Sequence, residues 1–241
     1  MCAEEHEGLL TPPLSPGAET STIRSSSTIG FFAVINHPDH WRAVVAVIGI
    51  MLAQQLTGIN SVFFYSVEFL SDVIPTGATL ITVIVGALNL VVTILFSPLS
   101  DKLGRKPCLL ASIAGMGISA VVLGCAIMFD IRILAAIATL LFVASFAIGL
   151  GPVPFILASE LANPEAVAAT QTWALATNWS STFLVAQFFP ILNKALGEGR
   201  VFYVFAFSAV VAFGFTLWWI PESKGKKDAD EVWGRGRIRE D

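Results

Sequence analysis

Six stretches without a single Asp, Glu, Lys or Arg run along this chain: residues 43–67, 73–100, 107–129, 133–159, 166–193 and 201–220. The charged residues between them sit in short gaps. A helix needs about 20 predominantly apolar residues to cross the hydrocarbon core of a bilayer, and each stretch reaches that length. A helix also satisfies its own backbone polar groups in lipid. The alternating ten-residue segments of a membrane barrel are missing. Six soluble core helices in a row would have no polar outer face. The pattern therefore predicts an all-α integral membrane protein, with a bundle of six transmembrane helices over residues 41–221.

The flanks read differently. Residues 1–40 are polar, and residues 20–28 are nearly all small and polar. Such a segment buries too little apolar surface to order itself, so 1–40 is expected to be a flexible cytoplasmic segment. Its acidic, polar start predicts no signal peptide. Residues 222–241 form a charged tail. Arg132, Lys194 and Arg200 fall in gaps on one side of the membrane, and every other Lys and Arg falls on the opposite side or in the two flanks assigned to it. The basic side is expected to be cytoplasmic, which places both termini there.

Composition sharpens this and excludes other classes. The 241 residues are 55% hydrophobic and 13% charged, against about 25% charged in a typical soluble domain. A net charge of −4 offers no basic footprint for nucleic acid. Cys2, Cys108 and Cys125 have no metal-ligand spacing, so no metal is expected. Paired catalytic carboxylates, a Ser/His/Asp set and a phosphate loop are all missing. The chain thus reads as a non-enzyme without a cofactor, with the bilayer as its medium. His6, His37 and His40 lie outside the spans and are expected to face solvent.

Polar residues inside a span tend to face the bundle interior or a water-filled cavity. The first span holds Gln54, Gln55 and Asn60. At 100° per residue, Asn60 lies about 240° around from Gln54 and about 140° from Gln55. A regular helix cannot aim all three at one point, but Gly58 between them allows a break. Broken helices at mid-membrane mark transporter sites; polar glue between helices is the other reading. Asn89, alone in the second span, fits either role. In the fourth span Gly151, Pro152 and Pro154 predict a kink that frees carbonyls toward a cavity, with Phe155 directly after. Asn178 and Trp179 stand together in the fifth; an indole can stack on a sugar ring or simply anchor the helix. The loop from Asp101 to Lys106 is either a solvated basic turn or a set of charges paired with Glu160 and Glu222.

Taken together these pieces resemble the sugar porter family of the major facilitator superfamily. The run from Gln54 to Asn60 is similar to that family's seventh-helix motif, and Asp101 to Lys106 to the charged loop between its eighth and ninth helices. Gly151 to Phe155 with Ser159-Glu160 resembles the tenth helix, Asn178-Trp179 the eleventh, and Pro221 to Lys226 the end of the twelfth. The order holds from about residue 41 to 226. The implied fold is the C-terminal half of the superfamily's twelve-helix architecture, with 1–40 similar to its central loop. The implied function is hexose-like sugar transport by alternating access; a sugar sensor or a structural half is the alternative. Gln54, Gln55, Asn60, Asn89, Phe155 and Trp179 would meet the sugar. Asp101, Arg105, Lys106, Glu160 and Glu222 would form the cytoplasmic charge network. Nothing here resembles helices one to six, so the missing half or another copy is an implied partner.

The departures from the family pattern are specific. Ala147 stands where many members have glutamate, Thr182 replaces an asparagine, and Val167 replaces an arginine after Glu160. Phe155 stands where many have tryptophan. The pattern looks closest to the fungal vacuolar-type branch. Independently, Glu5 followed by Leu9 and Leu10 fits an acidic dileucine sorting signal. Both point to an internal, vacuole-like membrane.

Overall fold

The computed structural model of the chain describes residues 29–71, 77–197, 199–226 and 228–234. Its elements are α1 (Ala33–Asn36), α2 (Trp41–Leu56), α3 (Ile59–Ser71), α4 (Ala78–Leu103), α5 (Arg105–Met128), α6 (Arg132–Ile148), α7 (Val153–Glu160), α8 (Val167–Leu196), α9 (Val201–Trp219) and α10 (Ala229–Val232). The fold is all-α among the described residues. The six uncharged stretches map onto α2–α3, α4, α5, α6–α7, α8 and α9 in order. Five of these are long and apolar enough to cross a membrane; α8 has the length, at 30 residues, but carries more polar side chains. One face of α8 explains that difference, because Thr170, Asn178 and Ser181 are buried in the bundle.

Two spans break, and each break has a local cause. Between α2 and α3, Gly58 takes φ +90°, a left-handed conformation that costs other L-residues about 1–2 kcal/mol. A Cβ there would also sit 2.6 Å from ring carbons of Phe205. Between α6 and α7, the residues Gly149 to Pro152 leave the helix, and Pro152 caps the α7 start. Pro154 falls in the first turn of α7, where its missing N–H removes no helical hydrogen bond.

Helix α5 packs between α6 and α9, while α2 lies against α8 and α4 lies against α6. Phe142 and Phe202 are the largest fully buried side chains. Around Gly58, Phe205 stacks on Phe189 at 5.8 Å and meets Phe202 edge-on at 5.9 Å. The outer surface is apolar: Leu90, Val91, Ile94 and Leu95 of α4 and Val210 and Trp218 of α9 are exposed. Only 11% of the most apolar window of α4 is buried, so this helix flanks the bundle rather than filling it.

Part of the segment expected to be flexible is packed. Val34 is buried in a small core with Val44, Ala162 and Ala166. Phe31 stacks on Trp173 at 4.4 Å, and the Trp173 indole donates to the Phe31 carbonyl at 2.9 Å. The apolar run Ile29 to Ile35 supplies the side chains for this packing. At the other end, the Trp233 indole donates to the Leu161 carbonyl at 3.0 Å, which holds α10 against the α7 end. His40 is a correction: the side chain expected to face solvent is 2% exposed. It lies at the start of α2, with Nε2 3.3 Å from Glu165 and its ring stacked on His37.

Candidate functional site

A cavity of about 450 Å³ lies beside the two helix breaks. Gln54, Gln55, Asn60, Asn89, Phe155, Gly151 and Pro152 of the expected set line it, with Phe63, Thr93, Phe146 and Asn178. The break at Gly58 accounts for the meeting of Gln54, Gln55 and Asn60 on one cavity, which a continuous helix would forbid.

The amides form a connected set. Asn60 Nδ2 donates to Gln55 Oε1 at 2.5 Å and to Thr182 Oγ1 at 3.2 Å. Gln55 Nε2 donates to Gln54 Oε1 at 3.4 Å, and Asn178 Nδ2 donates to the same oxygen at 2.5 Å. Gln54 Nε2 donates to the Leu150 carbonyl at 2.6 Å and the Gly151 carbonyl at 3.3 Å. The carbonyls freed by the α6–α7 break are therefore occupied by Gln54 rather than left open. Asn89 Nδ2 is buried without a hydrogen-bond partner.

Trp179 is placed elsewhere. Its side chain is 69% exposed on α8, and it does not line the cavity. One residue is 100° of helix, so the neighbour of the buried Asn178 turns away from it. Asn178, Thr93 and Thr182 are the polar groups at this site that sequence reasoning did not select. Asn178 and Thr182 are four apart on α8, the spacing that puts two residues on one helix face. Thr182, standing for an asparagine, still serves as an acceptor for Asn60.

A second polar cluster lies at the Arg105 end of the bundle. Arg105 Nη2 is 3.0 Å from Asp101 and 2.9 Å from Glu160, and its Nε donates to both Glu160 oxygens at 3.1 and 3.2 Å. Ser223 Oγ donates to Glu160 Oε2 at 2.5 Å. Glu222 caps α5, accepting from the backbone N–H groups of Arg105 at 2.9 Å and Lys106 at 3.2 Å. A carboxylate there also complements the helix dipole. Gly104, at φ +109°, lets the two meet, because a Cβ would lie 2.7 Å from Glu222 Oε2. Lys106 Nζ reaches the Leu217 carbonyl at 2.8 Å. Arg105 and Ser223 together satisfy Glu160 although Val167 offers it no cation. The five charges thus hold α4, α5, α7 and the α9 end together.

Arg105→Leu is expected to destabilise the bundle by about 1–3 kcal/mol. That is below the 3–5 kcal/mol of a fully buried pair, because Glu160 is 28% exposed. Thermal unfolding in detergent measures it. No loss of stability would mean the cluster is only a solvated turn.

Comparison with known proteins places this architecture. Residues 17–232 match the family model described as sugar (and other) transporter. The chain belongs to the sugar porter family of the major facilitator superfamily. It is a multi-pass membrane protein. A probable metabolite transport protein of Saccharomyces cerevisiae is 34% identical over 83% of this chain and 41% of its own length. Vacuolar protein sorting-associated protein 73 of the same yeast is 31% identical over 88% of this chain and 43% of its own length. The facilitated trehalose transporter Tret1 of Aedes aegypti is 33% identical over 80% of this chain and 25% of its own. The solved structure of the proton:xylose symporter XylE bound to 6-bromo-6-deoxy-D-glucose matches with a TM-score of 0.71 and 30% identity. That match covers 79% of this chain and 42% of the symporter. An inward-open structure of XylE from E. coli matches at 0.70 and 31%, over 80% and 41%. The chain thus spans less than half the length of these relatives.

Proposed function

We propose that this chain forms the sugar-binding C-terminal half of a transporter for hexose-like sugars that works by alternating access. The observation that carries the reading is the cavity beside two broken spans, lined by amides and by Phe155. Sugar hydroxyls both donate and accept, and amides match them with both kinds of group. Gln55 keeps one N–H and one lone pair, Asn60 and Asn178 keep their carbonyl oxygens, and Asn89 keeps an unpartnered amide nitrogen. Phe155, 38% exposed, offers a face for the apolar side of a ring. The names of Tret1 and of the sugar-bound symporter support a sugar as substrate.

The transport path needs a second wall. The exposed apolar residues Trp179, Phe183 and Leu184 of α8 and Phe64 of α3 are the surface we assign to it. Its occupant is a six-helix N-terminal half or another copy of this chain. Trp179 joins the sugar site only once that wall is present. We place the Arg105 end on the cytoplasmic side by its charge excess, and give the charge cluster the role of locking that side shut. Residues 1–40 and 222–241 then belong to the central loop and the cytoplasmic tail.

Gln55→Ala, Asn60→Ala and Asn89→Ala are each expected to weaken sugar binding about 2- to 13-fold, the loss of about 0.5–1.5 kcal/mol for one net hydrogen bond. Equilibrium binding of radiolabelled glucose and xylose to the chain assembled with a sugar-porter N-terminal half measures it. Unchanged affinity in all three variants, with folding intact, would remove them from the site.

The vacuole-like location is part of the same proposal, and the likeness to the yeast vacuolar sorting protein supports it. Glu5, Leu9 and Leu10 lie outside the described residues. Replacing both leucines with alanine is expected to shift a fluorescently tagged chain toward the plasma membrane. A parent already at the cell surface, or an unmoved double variant, would reject the dileucine reading.

A further inference from the structure

A threonine inside a helix can satisfy its hydroxyl on the carbonyl three or four residues back. Thr82, Thr139 and Thr172 do this, at 3.1, 2.8 and 2.8 Å. Thr93 lies in the middle of α4, with the Asn89 carbonyl at the same spacing, and its hydroxyl takes no partner among the described residues. Thr170 and Thr216 also lack a partner, but they are 0% exposed and line no part of the cavity. Thr93 does line it.

Asn89 stands one turn earlier, and residues four apart share a helix face. It lines the same cavity, and its amide nitrogen is buried without a partner. The two neighbouring groups therefore satisfy neither each other nor any other described residue. The side chains around them on α4 are apolar: Leu90, Val91 and Val92 lie between them, and Ile94, Leu95 and Phe96 follow. Buried polar groups are normally paired, so two unpaired ones on one cavity wall call for a ligand that pairs them. The other amides of the cavity come from α2, α3 and α8, which leaves this pair as the contribution of α4.

We propose that Thr93 is a further substrate contact and a specificity residue: with Asn89 it makes a two-point grip on two hydroxyls of the sugar. This rests on the sugar-binding reading and deepens it. The Asn89 nitrogen only donates, whereas a threonine hydroxyl both donates and accepts. Thr93 thus takes its sugar hydroxyl in either sense. Because α4 runs toward Arg105, Thr93 lies one turn, about 5.4 Å, nearer that end than Asn89. It meets the part of the sugar that points to the Arg105 end. A site built to hydrogen-bond a hydroxyl rejects the analogue that lacks it, so Thr93 discriminates between sugars that differ there.

Deoxy sugars test this. A residue that contacts one hydroxyl no longer matters to the analogue without that hydroxyl. The measurement is equilibrium binding of glucose and its 1-, 2-, 3-, 4- and 6-deoxy analogues to the chain assembled with a sugar-porter N-terminal half. Where the parent binds xylose and not glucose, the xylose series replaces it. Thr93→Val keeps the shape and removes the hydroxyl. It is expected to bind the parent sugar about 2- to 13-fold more weakly, the loss of one net hydrogen bond, and one deoxy analogue as well as the parent protein does. Thr93→Ser keeps the hydroxyl and is expected to stay within about twofold of the parent protein throughout. Unchanged affinity in Thr93→Val overturns the inference alone, as does a common factor of loss across the whole series. Should the unmodified assembly bind no sugar, the proposed function fails and this inference with it. Thermal unfolding in detergent checks the fold of each variant; where Thr93→Val does not fold, Thr93→Ala carries the same comparison.

Discussion

Gly58→Ala is expected to destabilise the folded chain by about 2–5 kcal/mol. Two costs add. The φ of +90° penalises any L-side chain by about 1–2 kcal/mol. The new methyl lands 2.6 Å from Phe205, and forcing atoms into a filled core costs about 1–3 kcal/mol. Phe205 cannot swing away freely, because it is stacked on Phe189 and wedged by Phe202. The alternative is for the break itself to close into a regular helix, which would carry Asn60 away from Gln55. Either response is visible. Unfolding in mild detergent reports the first, and loss of sugar binding with a stable fold reports the second. A variant as stable and as active as the parent would show that the break does not depend on glycine.

Gly149→Ala is expected to be comparably damaging, for a reason of packing. Its φ of −147° does not lie in the left-handed region that favours glycine. The obstacle is the backbone of α5: a Cβ would stand 2.8 Å from the Cys108 carbonyl carbon and 3.0 Å from the Ser112 Cβ. A helix backbone moves far less readily than the end of a side chain, so α5 and α6 must separate. The expected cost is about 3 kcal/mol, at the upper end for overpacking. Separation would also pull Ser112 from Leu150. A fall in thermal midpoint with faster amide exchange at Leu150 is the expected result. A fall in stability without the exchange change would place the strain away from the Ser112 hydroxyl and the Leu150 N–H that donates to it.

The spans were legible because they rest on a one-dimensional signal, length without charge, and the lipid makes that signal strict. The break at Gly58 was legible too, since Gln54, Gln55 and Asn60 cannot share a face on an unbroken helix. What the Pro152 kink does with its freed carbonyls was not. Sequence shows that they lose their helical partners; only the fold shows that Gln54, nearly a hundred positions away, takes them. His40 misled for a related reason. It lies in a polar stretch, but the stretch folds back so that Val34 and Val44 close a small core nearby. Trp179 shows what the pair left open: on α8 Asn178 lines the cavity, while Trp179, one residue and about 100° on, is exposed on the bundle surface. The charged residues around Arg105 could be picked out from the sequence, but the Ser223 hydroxyl on Glu160 and the capping of α5 by Glu222 through backbone N–H groups needed coordinates.

The most direct measurement of the central claim is sugar uptake in a host lacking its own sugar transporters. The chain is expressed alone and together with a sugar-porter N-terminal half, and its arrival in a membrane at the cell surface is checked in each case. The account predicts saturable uptake of glucose or xylose when the halves are combined, reduced in the Asn60→Ala variant. Background uptake in both arrangements, with the protein folded and in that membrane, would contradict it.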